Sequence, residues 1–470
     1  MRNPLRIRFI RHTALTAGAQ VIQAASAMVA GIVVARTLGP SANGTLSVLT
    51  ALAGMAMLLG SFGVHSSSVY FLGRITARSN ASSPPDAMIA EQPETSESSK
   101  HSESDLKVQR DVIISNSIMF AVAGGLLTGI GLTGAILLFR HQLLSNIRIG
   151  LFLVFLPFVP LGYFNNFASR IALGMGQIRM FNLEELIRGS GLLIGTPTAI
   201  LVFGRHLLPL VILRVILEVL IFIVLVAYVL TRVGRRLRPS LSVLRRQVRY
   251  GVRNYTGTLM WLFLLQSDLV LCNDFLGSRP TGVYSIAVSL GLPITLLASV
   301  AGTLVFQRVS ADHDRRNRID NTNRVVRLLV PLIGSAVVFI AVVSRWLIPL
   351  AYGRRFDGAV SALAILMPGL FILGLETVLM NFLAGEGSPA IVYRAPFVGL
   401  LLNVLVNLFV IPRWGIDGAA ATSSVSYLVV FLLVLTHYVR TTGTRPHQLL
   451  LLKASDIRAV WDASAAGAVS

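Results

Sequence analysis

Twelve runs of predominantly apolar residues, each about as long as a helix needs to cross a bilayer, restrict what this chain can fold into more than any other feature. A hydrocarbon core about 30 Å thick takes roughly 20 residues of helix. The runs lie near 13–35, 45–72, 112–139, 149–172, 183–204, 208–231, 252–276, 281–306, 327–349, 360–383, 391–411 and 416–438. Without water in the bilayer core, every backbone amide must find its partner inside the chain, so such runs become helices. The expectation is an all-α membrane protein of about 12 transmembrane helices. Composition agrees: 54% of residues are hydrophobic and 13% charged, with a mean hydropathy of +0.71, outside the range of soluble proteins. The basic N-terminus precedes an apolar run too long for a signal peptide and without a small-x-small cleavage context, so 13–35 reads as a retained first helix.

The formal charge of +20 would suggest nucleic acid in a soluble protein. Here the basic residues sit between apolar runs, so they read as topology signals and no nucleic-acid partner is expected. Twelve crossings put both termini on one side, and the arginine-rich 232–253 and 308–327 segments place that side in the cytoplasm, against anionic lipid. Lysine is confined to Lys100, Lys107 and Lys453. A single cysteine, Cys272, excludes an internal disulfide and a cysteine metal cluster. Residues 79–105, rich in serine, proline and acid, read as a disordered cytoplasmic insert, either a spacer or a partner-binding segment.

An internal repeat organises the runs. Leu38-Gly39-Pro40-Ser41-Ala42-Asn43-Gly44-Thr45-Leu46-Ser47 aligns without a gap with Leu276-Gly277-Ser278-Arg279-Pro280-Thr281-Gly282-Val283-Tyr284-Ser285. A weaker echo pairs Gly174-Met175-Gly176 with Gly385-Glu386-Gly387. Six helices are thus followed by six similar ones in the same orientation, which predicts two parallel six-helix bundles around a central cavity. The expected organisation is an N-terminal bundle over 1–231, a basic cytoplasmic linker over 232–251, a C-terminal bundle over 252–438 and a cytoplasmic tail over 439–470.

At this point the residues resemble the polysaccharide-transport branch of the multidrug/oligosaccharidyl-lipid/polysaccharide exporter superfamily, the O-antigen-type flippases. The resemblance is carried by Ala35 to Gly44, by Asp268-Leu269-Val270-Leu271, Phe275-Leu276-Gly277 and Gly282 to Ala287, and by Trp414-Gly415-Ile416-Asp417-Gly418-Ala419-Ala420. It implies a non-enzymatic flippase in the bacterial inner membrane, moving undecaprenyl-pyrophosphate-linked oligosaccharide from the cytoplasmic to the outer leaflet by alternating access for surface polysaccharide synthesis. Expected partners are that glycolipid, membrane lipids, and polysaccharide polymerase and chain-length machinery. The acidic insert departs from the family's short loop.

Ionisable and amide side chains inside a membrane are costly, so each is a functional candidate. Arg214 and Glu218 are spaced i,i+4 on one helix face; either they neutralise each other or Arg214 faces the cavity, where its guanidinium fork suits pyrophosphate. Arg188 follows Glu184 and Glu185 by one turn, with pairing and cavity roles both open. Arg170, after Asn165 and Asn166, either snorkels to headgroups or receives the head on entry. Asp268, beside Gln266 and Ser267, has no basic neighbour in sequence. It is either a proton or sodium coupling site or a protonated structural group. Glu376 is equally unpaired in sequence, and Glu218 is a third coupling candidate. Asn403 and Asn407, like Gln20 and Gln23, serve either helix packing or sugar binding.

The chain has no G-x-x-x-x-G-K-[ST] loop and no H-E-x-x-H pair, so neither ATP hydrolysis nor a zincin site is encoded in it. No cofactor or metal is expected, and energy would come from an H⁺ or Na⁺ gradient. Gly129-Ile130-Gly131-Leu132-Thr133-Gly134 fits a dinucleotide fingerprint but has no strand before it, and reads as close helix packing. Three rivals stand beside the flippase. A cation-coupled drug exporter would want an acidic, aromatic cavity. A membrane glycosyltransferase or polymerase would want a sizeable outer loop, and a structural partner in an envelope complex would use the acidic insert.

Overall fold

The computed structural model describes residues 4–81, 96–139, 147–233, 238–311, 314–387, 389–453 and 456. Residues 82–95 of the acidic insert, 234–237 of the basic linker and 457–470 of the tail lie outside the described residues. Among those described, the elements are helical: α1 (Pro4–Leu38), α2 (Pro40–Ser61), α3 (Val64–Ala81), α4 (Ser96–Leu138), α5 (Ile149–Phe155), α6 (Phe158–Gly174), α7 (Ile178–Phe203), α8 (Leu207–Val233), α9 (Leu241–Leu276), α10 (Ser278–Ala311), α11 (Arg315–Ala351), α12 (Gly358–Gly385), α13 (Pro389–Thr442) and α14 (Pro446–Leu450), with a 3₁₀ turn at Arg354–Phe356.

Eleven of the described helical stretches are long and apolar enough to cross a membrane. One of them, Ala390–Thr442, holds 53 residues and therefore two of the twelve runs, joined where Gly415 leaves helical geometry at φ 60°, ψ −142°. Two runs are interrupted rather than continuous. The second breaks between α2 and α3 at Phe62 and Gly63, both at positive φ, and the fourth breaks between α5 and α6 ahead of Pro157. The insert expected to be disordered over 79–105 is helical at both flanks, since α3 continues to Ala81 and α4 starts at Ser96.

Side chains are distributed inside out relative to a soluble protein. Leu138, Ile130, Leu201 and Ile223 are exposed on the spans, whereas Asn165, Glu218, Asp268, Asn273, Glu376, Asn403 and Asn407 are buried. Lipid satisfies the exposed apolar faces, and Asn165, Glu218, Asp268 and Asn403 find partners on neighbouring helices. The chain is a multi-pass membrane protein.

Two compact units divide it: Met1–Leu38 with Leu49–Leu259, and Gly39–Val48 with Met260–Ser470. The boundary between the units falls inside α9, after Leu259. Most of the linker is itself folded, because Asn116 of α4 donates to the Ser240 carbonyl (3.0 Å) and accepts from the Ser240 amide (2.9 Å). In the first unit α1 packs on α7, and α6 is surrounded by α3, α4 and α8, around Tyr163, Phe167, Ala168, Ile221 and Leu225. Close helix approach occurs at Gly124 and Gly125, against Tyr163 and Pro160. Added methyls at Gly131 and Gly134 would meet nothing within 4 Å, so the packing read from the glycine motif is displaced toward its N-terminal side.

In the second unit α12 packs against α10, α11 and α13. The repeat is visible there as a contact. The Gly39–Val48 segment lies on the start of α10, with Asn43 donating to the Gly282 carbonyl (3.1 Å) and to Ser285 Oγ (2.8 Å). The equivalent glycines of the two repeats, Gly44 and Gly282, face each other so closely that a Cβ on Gly282 would sit 1.8 Å from the Pro40 carbonyl oxygen. Part of the C-terminal tail is docked on α11. Arg327 of α11 forks onto the Asp456 carboxylate (2.6 and 2.9 Å) and donates to the Gln448 carbonyl (2.9 Å).

Candidate functional site

A cavity of about 310 Å³ opens inside the first unit. It is lined by Met57 and Ser61 of α2, His65 of α3, Phe158, Gly162, Tyr163, Asn166 and Phe167 of α6, Glu184, Glu185 and Arg188 of α7, Glu218 of α8 and Tyr255 of α9. Apolar α6 residues that pack into the unit's core carry Asn165 and Asn166 with them. The i,i+4 spacing of Glu184 and Arg188 sets both on one face of α7.

At its centre is an ion-paired cluster. Arg188 donates to Glu184 Oε1 (2.8 Å) and to Glu218 Oε1. Glu218, only 1% exposed, also accepts from Asn165 Nδ2 (2.8 Å), and the same amide reaches the Glu218 carbonyl (3.0 Å). The Arg188 side chain remains 24% exposed, so it is braced by two carboxylates yet reachable from the cavity. Arg214 is not the partner of Glu218 that the i,i+4 spacing suggests. It donates instead to Thr50 Oγ1 at 3.2 Å, and the carboxylate belongs to Arg188 on the next helix. A buried charge stripped of its partner costs several kcal/mol, which explains why Glu184 and Asn165 converge on the pair of Glu218 and Arg188. Asn165 Oδ1 is buried without a hydrogen-bond partner.

Of the remaining candidates in this unit, Asn166 lines the cavity, and Arg170 is half-buried with its guanidinium 5.9 Å from the Phe181 ring. Gln20 is exposed and Gln23 half-buried on α1. Sequence reasoning missed His65, Tyr163 and Tyr255. His65 is an ionisable residue inside a predicted span and could have been found by the rule applied to the others. It is buried edge-on between Phe167 and Tyr255.

The second unit holds a separate polar network. Asp268, which has no basic neighbour in sequence, accepts from Tyr284 Oη (2.5 Å), Ser423 Oγ (3.0 Å) and the Leu269 amide (2.8 Å). Asn403 donates to Ser423 (3.2 Å) and accepts from Ser267 (3.1 Å) and Asn407 (3.1 Å). The structure therefore brings Asp268, Asn403 and Asn407 together as a hydrogen-bonded lock among α9, α10 and α13. Gln266 is half-buried beside it on α9. Glu376 is apart from this network, buried on α12 with Oε1 lacking a partner. Among the described residues no group of three or more His, Cys, Asp or Glu side chains could hold a metal.

Residues 150–361, which include Arg188, Arg214, Glu218 and Asp268, match a family described as polysaccharide biosynthesis protein. The chain is 22% identical over 211 residues to the probable low-salt glycan biosynthesis flippase Agl15 of Haloferax volcanii. That stretch covers 44% of this chain and 45% of the relative, so the chain spans less than half the length of the curated relatives it matches. Two solved structures share its fold. A multidrug resistance MATE family transporter of the MOP superfamily, inward-facing, superposes over 92% of this chain and 99% of its own at 15% identity, TM-score 0.69. The lipid II flippase MurJ, in an inward closed conformation, covers 94% of this chain and 89% of its own at 12% identity, TM-score 0.64.

Proposed function

We propose, from the premise that this chain is a polysaccharide-transporter relative with the helical fold of the MOP superfamily, that it flips a lipid-linked oligosaccharide across the bacterial inner membrane. The cargo is a glycan on undecaprenyl pyrophosphate, moved from the cytoplasmic to the outer leaflet while its tail stays in lipid. Both termini lie in the cytoplasm, and an H⁺ or Na⁺ gradient supplies the energy. Polymerase and chain-length machinery take the delivered cargo.

The observation that carries this reading is the cavity of the first unit. Its lining offers sugar hydroxyls an amide at Asn166, hydroxyls at Ser61, Tyr163 and Tyr255, and carboxylates at Glu184 and Glu185. It offers a phosphate the half-exposed fork of Arg188. The family match over residues 150–361 and the glycan-flippase relative support the same cargo class.

A second reading rests on the same lining. Glu184, Glu185 and Glu218 outnumber Arg188 there, and an acidic, aromatic wall suits a cationic drug. Proteoliposome flipping of fluorescent undecaprenyl-pyrophosphate oligosaccharide by wild type, Arg188→Ala and Arg214→Ala separates them. The glycolipid reading expects Arg188→Ala to slow glycolipid movement more than Arg214→Ala does. Unchanged movement in both variants removes the cavity from the mechanism.

A further inference from the structure

Arg188 in the cavity is already shared between Glu184 and Glu218. A seam between α3 and α9 leads from that cavity to arginines on which no carboxylate has a claim. The two helices are fixed together by the buried Gln247, whose amide donates to Ser68 Oγ (3.3 Å) and Ser117 Oγ (3.1 Å). They run antiparallel. His65 meets Tyr255 edge-on, with ring centroids 4.9 Å apart, and five residues on along α3 and five back along α9 Tyr70 stacks on Tyr250 at 4.6 Å. One more turn in the same sense, four residues each way, brings the seam to Arg74 and Arg246, both exposed. Tyr70 holds Arg74 in place, because the guanidinium donates to its Oη (3.1 Å) and lies 5.6 Å from its ring centroid. Among the described residues neither arginine is ion-paired. We propose that Arg74 and Arg246 bind the diphosphate of the lipid-linked head at the cytoplasmic membrane surface, before its sugars enter the cavity.

This rests on the glycolipid reading, and it adds the place where the phosphates are recognised. Arg246 precedes the apolar span of α9, Tyr255–Leu276, by nine residues, about 14 Å of helix, which sets it outside the hydrocarbon, where lipid phosphates lie. A pyrophosphate diester carries one negative charge on each phosphate, one for each arginine, and guanidinium forks take phosphate oxygens bidentately. Like charges on neighbouring turns repel, and an anion between them turns that repulsion into attraction. His65, which lines the cavity, is nine residues along α3 from Arg74, again about 14 Å. A head held at the arginines therefore extends its sugars past Tyr70 and Tyr250 toward the cavity.

The test is the affinity of undecaprenyl-pyrophosphate oligosaccharide for the full-length protein in phosphatidylcholine nanodiscs, with and without phosphatidylglycerol. Both arginine side chains are exposed, so folding survives their removal. Arg74→Ala and Arg246→Ala are each expected to raise Kd about tenfold in both lipid backgrounds. Arg245→Ala removes the same charge one position away, on another face of α9, and is expected to change Kd by about twofold or less. An equal loss in Arg245→Ala overturns the site, leaving only diffuse attraction to a basic surface. Unchanged Kd in Arg74→Ala or in Arg246→Ala also overturns it and leaves the glycolipid reading standing. An effect confined to nanodiscs with phosphatidylglycerol assigns the arginines to ordinary headgroups and overturns it as well. No binding of the glycolipid by wild type overturns the glycolipid reading itself.

Discussion

Replacing Gly282 with alanine puts a methyl carbon 1.8 Å from the Pro40 carbonyl oxygen and 2.8 Å from the Gly44 amide nitrogen, where contacts below 3.0 Å essentially never occur. Both obstacles are backbone, so no side chain can swing aside, and the two segments must part by about 1.2 Å. Overpacking of this kind costs about 1–3 kcal/mol. The same separation strips the two Asn43 hydrogen bonds to Gly282 and Ser285, each worth about 1 kcal/mol. The sum is a loss of about 3–5 kcal/mol. For units of about 200 residues this lowers the melting midpoint by roughly 6–20 °C. Cys272, a single, buried thiol, reports it: a thiol-reactive fluorophore in a detergent melt lights up as α9 is exposed. Gly44→Ala, whose Cβ would lie 1.9 Å from the Ser278 carbonyl oxygen, is expected to behave alike. Gly134→Ala, with nothing within 4 Å, is expected to melt within a few degrees of wild type. Gly282→Ala melting with Gly134→Ala would refute the claim that the two repeat turns are locked by backbone contact.

Three further outcomes follow from the geometry. Asp268→Asn replaces two acceptor oxygens with one acceptor and one donor facing Tyr284 and Ser423, and is expected to cost about 2–4 kcal/mol in the same melt; Tyr284→Phe, which removes one bond, is expected to cost about half as much. Arg188→Ala leaves Glu218 buried without its cation and is expected to destabilise by about 3–5 kcal/mol, while Arg214→Ala, which loses the Thr50 bond, stays within about 2 kcal/mol of wild type; urea or thermal melts rank them. The Arg327 hydrogen bonds hold the Asp456 carboxyl below its ordinary pKa of 3.8, so the pair's stabilisation is complete above that pH and is lost as pH falls through the lower folded value. Asp456→Asn is therefore expected to melt below wild type at neutral pH, with the gap closing in acid below about pH 4.

Architecture was legible because the membrane enforces it. Twelve apolar runs can only be helices, and the repeated Leu-Gly and second Gly marked the one place where the two turns meet. The interruptions at Phe62–Gly63 and Pro157 were harder to read, since a span tolerates a break that neighbouring helices repair. Of the pairings that spacing offered, Arg188 with Glu184 is present, whereas Arg214 turns to Thr50 rather than to Glu218. Spacing along one helix suggested Arg214 for Glu218, whereas the partner, Arg188, stands thirty positions earlier on another helix, and no local rule reports contacts of that kind. Asp268 looked unpaired for the same reason, its partners Tyr284 and Ser423 being hydroxyls, 16 and 155 positions away, that carry no charge signal. His65 was within reach of the rule that found the arginines.

The glycolipid claim itself is tested most directly by wild-type protein in proteoliposomes loaded with fluorescent undecaprenyl-pyrophosphate oligosaccharide and, in parallel, with a cationic drug-like dye. Movement of the glycolipid between leaflets with the dye left in place is the result predicted here, and movement of the dye alone would contradict it and make the chain a drug exporter.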